Sequence, residues 1–456
     1  MASGDTIAAI ATPAGRGGVG IVRVSGPAAR EIAAGVLGQV PRPRYASHSR
    51  FRRDDGSAID DGIALFFPSP ASYTGEDVLE LQGHGGVVVM DLLLERVTQL
   101  GARVARPGEF TERAFLNDKV DLAQAEAVAD LIDSASAAAA RSAMASLDGE
   151  FSRRVEALVE AVTSLRMYIE AAIDFPEEEV DFLVDASITQ RLDDIKSKLS
   201  ELSRAAGTGV LLAEGVEIAI AGKPNAGKSS LMNRFSGRDT SIVTSVPGTT
   251  RDVITESVNV HGVPVRFVDT AGLRVSEDIV EQEGVRRTVA AVARAHHTLI
   301  VVDVAETGAG GEMIEAQVRN VLEQLESLDP ETVTTVLNKV DLTAVERWPA
   351  RLAGLPAVAV SALTGSGFET LVDRIATAVG FDADAGRFTA RRRHLVALEA
   401  AQASVIRGAS ALADTGAGEL LAEELRLAQA SLGEITGVLT ADDLLGRIFS
   451  SFCIGK

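Results

Sequence analysis

The chain has 456 residues, of which 46% are hydrophobic, a formal charge of -20 and a single cysteine. The length predicts about three domains with proper cores, and the lone Cys453 excludes an internal disulfide and a cysteine-cluster metal site. The acidic charge argues against tight, unaided nucleic-acid binding, and the lack of an 18-residue apolar run or a basic N-terminal region predicts a cytoplasmic protein with no membrane span.

The first 117 residues predict an α+β domain. Short runs of strand character lie at residues 6–11, 20–24 and 63–67, and a helix-like stretch covers 87–100. Within this domain, residues 15–20 read GRGGVG and match the dinucleotide-binding fingerprint G-x-G-x-x-G. That fingerprint requires a helix directly afterwards, whereas residues 21–24 alternate as a strand does. We therefore interpret the glycines as a turn between strands.

Residues 118–210 predict the first part of a helical domain. A helix with one apolar face is indicated by Phe151, Val155, Leu158, Val162, Leu165, Ile169 and Ile173. The alanine-rich stretch 134–146 favours close helix packing, and Gly207-Thr-Gly209 predicts a break before the next domain.

Residues 211–379 predict an α/β nucleotide-binding domain that opens on a phosphate-binding loop. An alternating apolar strand from Val216 leads into GKPNAGKS at 222–229, which fits the P-loop pattern G-x-x-x-x-G-K-[ST]. The glycines let backbone N–H groups face phosphate oxygens, Lys228 reaches the β- and γ-phosphates, and Ser229 offers a hydroxyl to Mg²⁺.

Two later motifs predict that the nucleotide is GTP. A strand ends in Asp269-Thr270-Ala271-Gly272, where the carboxylate can hold Mg²⁺ through water. Another strand ends in Asn338-Lys339-Val340-Asp341, and the Asp341 carboxylate can accept both N1–H and the 2-amino group of guanine, which adenine does not offer. Ser361-Ala362-Leu363 can support the guanine oxygen with a main-chain N–H.

The residue after Gly272 is Leu273, where an ordinary switch GTPase has the glutamine that orients the attacking water. Another polar group must take that role, and Asp278, Glu281 and Glu283 are candidates, although all three also suit a solvated acidic face. Asn225 in the P-loop is either a turn former or a cation ligand beside the phosphates.

Residues 380–456 predict the second part of the helical domain, after a linker at 380–386. The fold is therefore predicted to be multidomain: an α+β N-terminal domain, an α-helical central domain and an inserted α/β P-loop GTPase domain. The tail Cys453-Ile454-Gly455-Lys456 has three open interpretations: an incidental tail, a segment that inserts into another domain's site, or a reactive thiol.

With these motifs in this order, the chain resembles the MnmE (TrmE) family of bacterial tRNA modification GTPases along its whole length. The resemblance is carried by the nucleotide motifs, by the CIGK tail and by DTI at 5–7, ATP at 11–13, GRGGVG at 15–20, YTGED at 73–77, ELQGHGG at 80–86, PGEFTERAF at 107–115, LNDK at 116–119 and DLAQAE at 121–126.

The resemblance implies the reaction and its partners. The expected product is a carboxymethylaminomethyl or aminomethyl group at C5 of the wobble uridine U34 of certain tRNAs. A homodimer is expected to act with the flavoprotein MnmG (GidA), which supplies FAD and NADH chemistry. The N-terminal domain is expected to bind a tetrahydrofolate derivative (5,10-methylene- or 5-formyl-tetrahydrofolate) through Arg23, Glu80, Lys119 and Lys456.

The resemblance also implies K⁺-stimulated GTP hydrolysis on dimerisation of the GTPase domains, with K⁺ in the place of an arginine finger. Asn225, Thr244, Val246 and Thr249 are the expected K⁺ ligands, Ser229 and Thr250 the Mg²⁺ ligands, and Glu281 the water-orienting residue beside the catalytic Lys228; Cys453 is a further catalytic candidate. The GTP-binding residues implied are Asn225, Ala226, Gly227, Lys228, Ser229, Ser230, Thr244, Ser245, Val246, Pro247, Gly248, Thr249, Thr250, Asp269, Thr270, Ala271, Gly272, Asn338, Lys339, Val340, Asp341, Ser361, Ala362 and Leu363.

Two rival functions remain open from the sequence. One is a regulatory GTPase that binds the ribosome or RNA as a switch, and the other is a folate-dependent one-carbon transferase with a merely structural nucleotide site. The N-terminal motifs and the CIGK tail argue against the first, and the intact magnesium and lysine positions argue against the second.

Overall fold

The computed structural model describes residues 4–174, 186–237, 257–269, 292–307, 311–325, 328–345, 347–382, 387–438, 442–450, 452, 453 and 455. The chain folds into two compact units, residues 1–129 with 429–456 and residues 130–428. The predicted multidomain fold class is confirmed. Residues 429–456, which the sequence assigns to the helical domain, group with the N-terminal unit; the four predicted domain boundaries stay predictions.

The first unit is built on a mixed six-stranded sheet in the order β3-β4-β5-β2-β1-β6. Its strands are β1 Thr6–Ile10, β2 Gly17–Ser25, β3 Ser47–Arg52, β4 Ala58–Phe67, β5 Val78–Gly85 and β6 Ala102–Val104. Its helices are α1 Ala29–Leu37, α2 Val87–Gln99, α3 Glu109–Leu116 and most of α4 Leu122–Asp133. Alternate residues such as Val22, Val24, Leu79 and Leu81 point into a core that α1 and α2 cover. Because residues 17–25 form a strand, the rejection of the dinucleotide fingerprint is confirmed. The interpretation of the glycines as a turn is wrong for Gly17, Gly18 and Gly20, because these residues lie within β2.

The second unit starts with three long or alanine-rich helices, α5 Ala137–Leu147, α6 Glu150–Asp174 and α7 Ala186–Glu214. The predicted apolar face of α6 is confirmed, because Phe151, Val155, Leu158, Val162 and Leu165 are all buried. The predicted break at residues 207–209 is wrong, since α7 runs through it to Glu214. The helix keeps a glycine at 209 because a Cβ there would lie 2.6 Å from the Phe388 carbonyl oxygen.

A seven-stranded sheet in the order β12-β13-β11-β10-β7-β9-β8 follows α7. Its strands are β7 Val216–Ala221, β8 Ser257–Val260, β9 Val263–Asp269, β10 His297–Asp303, β11 Val333–Asn338, β12 Arg351–Leu352 and β13 Leu355–Val360. The central five are parallel, and the edge strands β8 and β12 are antiparallel to their neighbours. The described helices of this domain are α8 Lys228–Ser236, α9 Val304–Thr307, α10 Gly311–Gln324 and α11 Phe368–Ala378.

Three more helices end the described chain: α12 Arg392–Thr415, α13 Gly418–Thr436 and α14 Asp442–Ser450. α12 packs along α7 and buries Leu398, Val405 and Leu412. In the described part of the chain, α12 alone is long and apolar enough to meet a membrane-span criterion of length and composition, which core helices of soluble proteins also meet.

Candidate functional site

The predicted nucleotide motifs meet at one edge of the parallel sheet. β7, β9, β10, β11 and β13 all end there, and the register places Asp269 beside Ile220 and Asn338 beside both Asp303 and Val360. Ligands of open parallel sheets bind outside the carboxyl ends of the strands, so the topology puts the nucleotide site at this edge.

The P-loop has the backbone that a phosphate cradle requires. Gly222 and Gly227 have φ angles of 149° and 92°, and a Cβ on either would collide with Val301 or Asn338, respectively. Lys228 begins α8, and its ammonium group donates to the carbonyl oxygens of Gly222 at 2.9 Å and Lys223 at 3.0 Å. The helix N-terminus and the ammonium group therefore both present positive charge to the loop.

Asn338 ties two of the motifs together. Its side-chain amide donates to the Ala226 carbonyl oxygen at 2.9 Å, and its side-chain oxygen accepts from the Ala362 N–H at 3.1 Å. Asn338 is 1% exposed, so neither partner has water as a substitute. The asparagine thus fixes the P-loop relative to the segment that is predicted to support guanine.

The predicted guanine-binding carboxylate is accessible. Asp341 lies in a single 3₁₀ turn, Val340–Leu342, and is exposed. Lys339 precedes it with a φ of 67° and pairs with Asp303 at 2.5 Å. Leu363 directly follows Ala362, whose N–H bonds to Asn338, and it is 79% exposed. Its apolar side chain is therefore available to cover a base.

Arg234 and Asp303 belong to the site but were missed by the sequence reading. The Arg234 guanidinium donates to the carbonyl oxygens of Leu363 and Thr364, both at 3.1 Å, and so holds the loop after β13 against α8. Asp303 ends a buried apolar run, and that position at the carboxyl end of a parallel strand could have identified it. No sequence signal marks Arg234.

Some predicted site residues lie outside the described residues. These are Thr244, Ser245, Val246, Pro247, Gly248, Thr249, Thr250, Thr270, Ala271, Gly272, Glu281 and Lys456, together with Leu273, Asp278 and Glu283. Of the predicted Mg²⁺ and K⁺ ligands, Ser229 and Asn225 are described, and both are exposed at the P-loop, where a cation can reach their oxygens. The described residues contain no group of three His, Cys, Asp or Glu side chains that could hold a metal.

Arg23 is the centre of a second candidate site, in the N-terminal unit. It lies opposite Glu80 across β2 and β5, and the guanidinium donates to the carboxylate at 3.0 Å. The rings of Tyr73 and Phe110 flank the guanidinium at 5.6 and 5.8 Å. A paired charge between two aromatic rings can bind a flat, hydrogen-bonding heterocycle.

Tyr73 is held by its own contacts. Its hydroxyl is 2.9 Å from the Thr111 hydroxyl, and burial raises the pKa of Tyr73 despite that hydrogen bond and the charge of Arg23. Lys119, another predicted folate contact, donates to the Pro70 carbonyl oxygen at 3.0 Å and so touches the loop that carries Tyr73.

A buried ion network supports helix α3, which carries Phe110 and Thr111, and the loop that carries Tyr73. Arg113, 4% exposed, pairs with Glu76 at 3.1 Å, Glu109 at 3.3 Å and Asp5 at 2.8 Å. Burial raises the pKa of Glu109, but hydrogen bonds from Arg103 and the Arg106 N–H outweigh it and lower the pKa to about 2. The network fixes the ends of the segments from which Tyr73 and Phe110 project.

The C-terminal tail lies against this N-terminal site. The Gly108 N–H donates to the Cys453 carbonyl oxygen at 3.3 Å, and Arg23 donates to the Gly455 carbonyl oxygen at 3.5 Å. Phe449 and Phe452 anchor the preceding helix in a cluster with Leu122. Of the three interpretations of the tail, the contacts favour insertion into another domain's site, and the exposed Cys453 thiol keeps the third open.

Comparisons with known proteins agree with this arrangement. A family model described as "GTP-binding protein TrmE N-terminus" matches residues 6–119, and one described as "MnmE helical domain" matches residues 122–453. The chain is 54% identical to a tRNA modification GTPase MnmE of Chromohalobacter salexigens, over 99% of this chain and 98% of that protein. It is 53% identical to the protein of the same name from Yersinia pseudotuberculosis, over the full length of both.

Solved structures align with a smaller part of the chain. The G domain of the T. maritima FeoB iron transporter covers 36% of this chain and 98% of its own length, at 24% identity and a TM-score of 0.27. Era in complex with MgGDPNP and 16S ribosomal RNA nucleotides covers 36% of this chain and 56% of its own, at 28% identity and a TM-score of 0.27.

Proposed function

The chain belongs to the MnmE family of tRNA modification GTPases, and from this premise we propose the rest of its chemistry. It acts with the flavoprotein MnmG (GidA) to place a carboxymethylaminomethyl or aminomethyl group at C5 of the wobble uridine U34 of certain tRNAs. The observation that carries the proposal is the presence, in one chain, of a P-loop with the backbone of a phosphate cradle and a separate site around Arg23 suited to a flat heterocycle.

The Arg23 site is where a tetrahydrofolate derivative, 5,10-methylene- or 5-formyl-tetrahydrofolate, binds and supplies the one-carbon unit. Arg23 and Glu80 offer a donor and an acceptor side by side, and Tyr73 and Phe110 offer ring faces. Lys119 and Lys456 bring positive charge for the folate's glutamate carboxylates. FAD and NADH enter the reaction through the partner flavoprotein.

At the P-loop, Lys228 and Mg²⁺ held by Ser229 and Thr250 offset the charge that builds on the phosphates. K⁺ held by Asn225, Thr244, Val246 and Thr249 takes the place of an arginine finger when two GTPase domains meet, and Glu281 orients the water. The exposure of Asn225, whose φ of 62° keeps it in a tight turn beside Lys228, supports its place among the K⁺ ligands.

The protein acts in the cytoplasm as a homodimer through its N-terminal domain. Val19, Val87 and Val88 support this part of the proposal, since they are 59%, 53% and 70% exposed near the paired ends of β2 and β5. Exposed apolar side chains that cluster at one place are typical of association surfaces.

The GTPase mechanism is tested by hydrolysis in KCl and in NaCl at equal ionic strength. We expect K⁺ to accelerate hydrolysis, and Asn225→Ala and Glu281→Ala to abolish the acceleration. Asn320→Ala, an exposed asparagine on α10, is the matched control and should keep it. Equal rates in the two salts would remove K⁺ from the mechanism.

The folate site is tested by calorimetric titration of the full chain with 5-formyl-tetrahydrofolate. The full chain is needed because residues 429–456 pack within the N-terminal unit. Arg23→Gln should weaken binding at least about tenfold, since it removes a charge-assisted contact. Arg50→Gln, which breaks an exposed pair with Asp61, should leave binding unchanged. Folate binding that is absent, or equal in both variants, would favour the regulatory GTPase instead.

A further inference from the structure

A cavity of about 400 Å³ lies where the polypeptide enters and leaves the α/β domain. Leu212, near the end of α7, lies just before β7, and Phe381 follows α11. The other described lining residues are Ala138, Arg141, Ser142, His261 and Arg387. This cavity is separate from the nucleotide edge of the sheet, because none of the described residues predicted to bind GTP lines it.

The lining divides into an apolar part and a basic part. Ala138, Leu212 and Phe381 offer methyl groups and an aromatic ring. Arg141 and Arg387 are exposed, and neither guanidinium has a hydrogen bond or ion pair with another described residue. In a chain with a formal charge of -20, two guanidinium groups that lie at one cavity without a described partner concentrate positive charge there.

The backbone that carries each of the two arginines is anchored by its neighbours. Arg141 projects from α5 one turn after Ala138, on the same face of the helix. Arg387 precedes Phe388, which stacks on Phe151 with ring centroids 4.8 Å apart, and Thr389, whose N–H donates to the Ser146 hydroxyl at 2.9 Å.

His261 adds a ring to the basic side of the cavity. It occupies the turn between β8 and β9, and its Nε2 is 2.8 Å from an Asp373 carboxylate oxygen. That turn is anchored to α5, because the Ser136 hydroxyl donates to the Gly262 carbonyl oxygen at 2.6 Å while capping α5.

We propose that this cavity binds a small phosphorylated ligand of mononucleotide size. Arg141 and Arg387 contact the phosphate, as guanidinium groups do well, and Phe381 with Leu212 contacts a planar base. The β8–β9 hairpin joins residues 238–256 to 270–291, which carry the predicted K⁺ ligands and Glu281. Occupancy of a cavity that this hairpin lines therefore alters the rate of GTP hydrolysis.

AMP is the probe, because Asp341 is predicted to select guanine at the P-loop and so to exclude adenine there. Full-length protein saturated with GDP and Mg²⁺ is titrated calorimetrically with AMP, adenosine and inorganic phosphate. We expect AMP to bind at least about tenfold more tightly than either fragment, because only AMP reaches both sides of the cavity.

Two variants locate the binding. Arg141→Gln and Arg387→Gln should each weaken AMP binding at least about tenfold, the loss expected for one charge-assisted contact. Arg319→Gln, an exposed arginine on α10 remote from the cavity lining, is the control and should bind AMP normally. Urea unfolding checks that all three variants are folded.

The same proteins are then assayed for GTP hydrolysis with and without AMP. AMP should change the rate in the unmodified chain and in Arg319→Gln, but not in the two cavity variants. No AMP binding, equal affinity in the cavity variants, adenosine or phosphate binding as tightly as AMP, or a rate effect that persists in the cavity variants would each overturn the proposal.

Discussion

Asn338→Ala gives the sharpest test of how the nucleotide edge is assembled. The substitution removes the donor to the Ala226 carbonyl oxygen and the acceptor of the Ala362 N–H, and both are at buried positions. A buried polar group that loses its partner costs about 1–3 kcal/mol, so two such groups predict a loss of about 2–6 kcal/mol from the free energy of unfolding of this domain.

Trp348 is the only tryptophan, and it packs against the cluster beneath β10 and β11. Its fluorescence in a urea titration therefore reports on the unfolding of the α/β domain rather than on the other domains. Asn320→Ala is the matched control, because that exposed side chain accepts only from Gln324 on the same helix among the described residues. The control should change the unfolding free energy by less than about 0.5 kcal/mol.

Asn338→Ala should also weaken GDP binding, because the P-loop and the segment around Ala362 lose the side chain that holds them together. The reasoning would be refuted if Asn338→Ala unfolded at the same urea concentration as Asn320→Ala. It would equally be refuted if the domain were destabilised but its affinity for GDP stayed unchanged. That affinity is measured without urea, at a temperature at which both variants are folded.

Three further predictions concern stability. Burial, and to a lesser extent the charge of Arg374, lowers the pKa of His297 from an ordinary 6.5 to about 4. The unfolded chain therefore takes up a proton first, and the free energy of unfolding should fall by up to about 3 kcal/mol as the pH drops from 6.5 to 4. His297→Gln should remove this part of the pH dependence in urea titrations followed by Trp348 fluorescence. Gly209→Ala should lower the melting temperature, because its Cβ would meet the Phe388 carbonyl oxygen. Gly207→Ala has open space around the new Cβ and should raise the free energy of unfolding by about 0.5–1 kcal/mol. A higher melting temperature for both variants would contradict the packing. Arg113→Met should cost about 1–3 kcal/mol, because the largely buried Glu76 carboxylate loses Arg113 while Glu109 keeps Arg103. Arg106→Met, at a 66% exposed side chain, should cost no more than about 1 kcal/mol, and similar melting temperatures by circular dichroism would show that the network contributes little.

The residues expected to bind phosphate and guanine could be proposed from the sequence because each motif is a short contiguous string. Its chemistry depends on the local backbone, such as the φ of 92° at Gly227 and the helix that begins at Lys228. Strand periodicity also sufficed to reject the dinucleotide fingerprint at residues 15–20, since β2 alternates buried and half-buried residues over 20–24. The family resemblance rested on the same kind of local strings.

Long-range packing decided what those strings could not. The Gly207-Thr-Gly209 segment looks like a break by local propensity, yet α7 continues because the 388–390 segment packs against it. Arg234, the Asn338 bridge and the pairing of Arg23 with Glu80 join residues 24 to 130 positions apart. The tail at 453–455 lies against Gly108 and Arg23 for the same reason. Such contacts depend on where whole strands and helices come together, and only the tertiary structure fixes that.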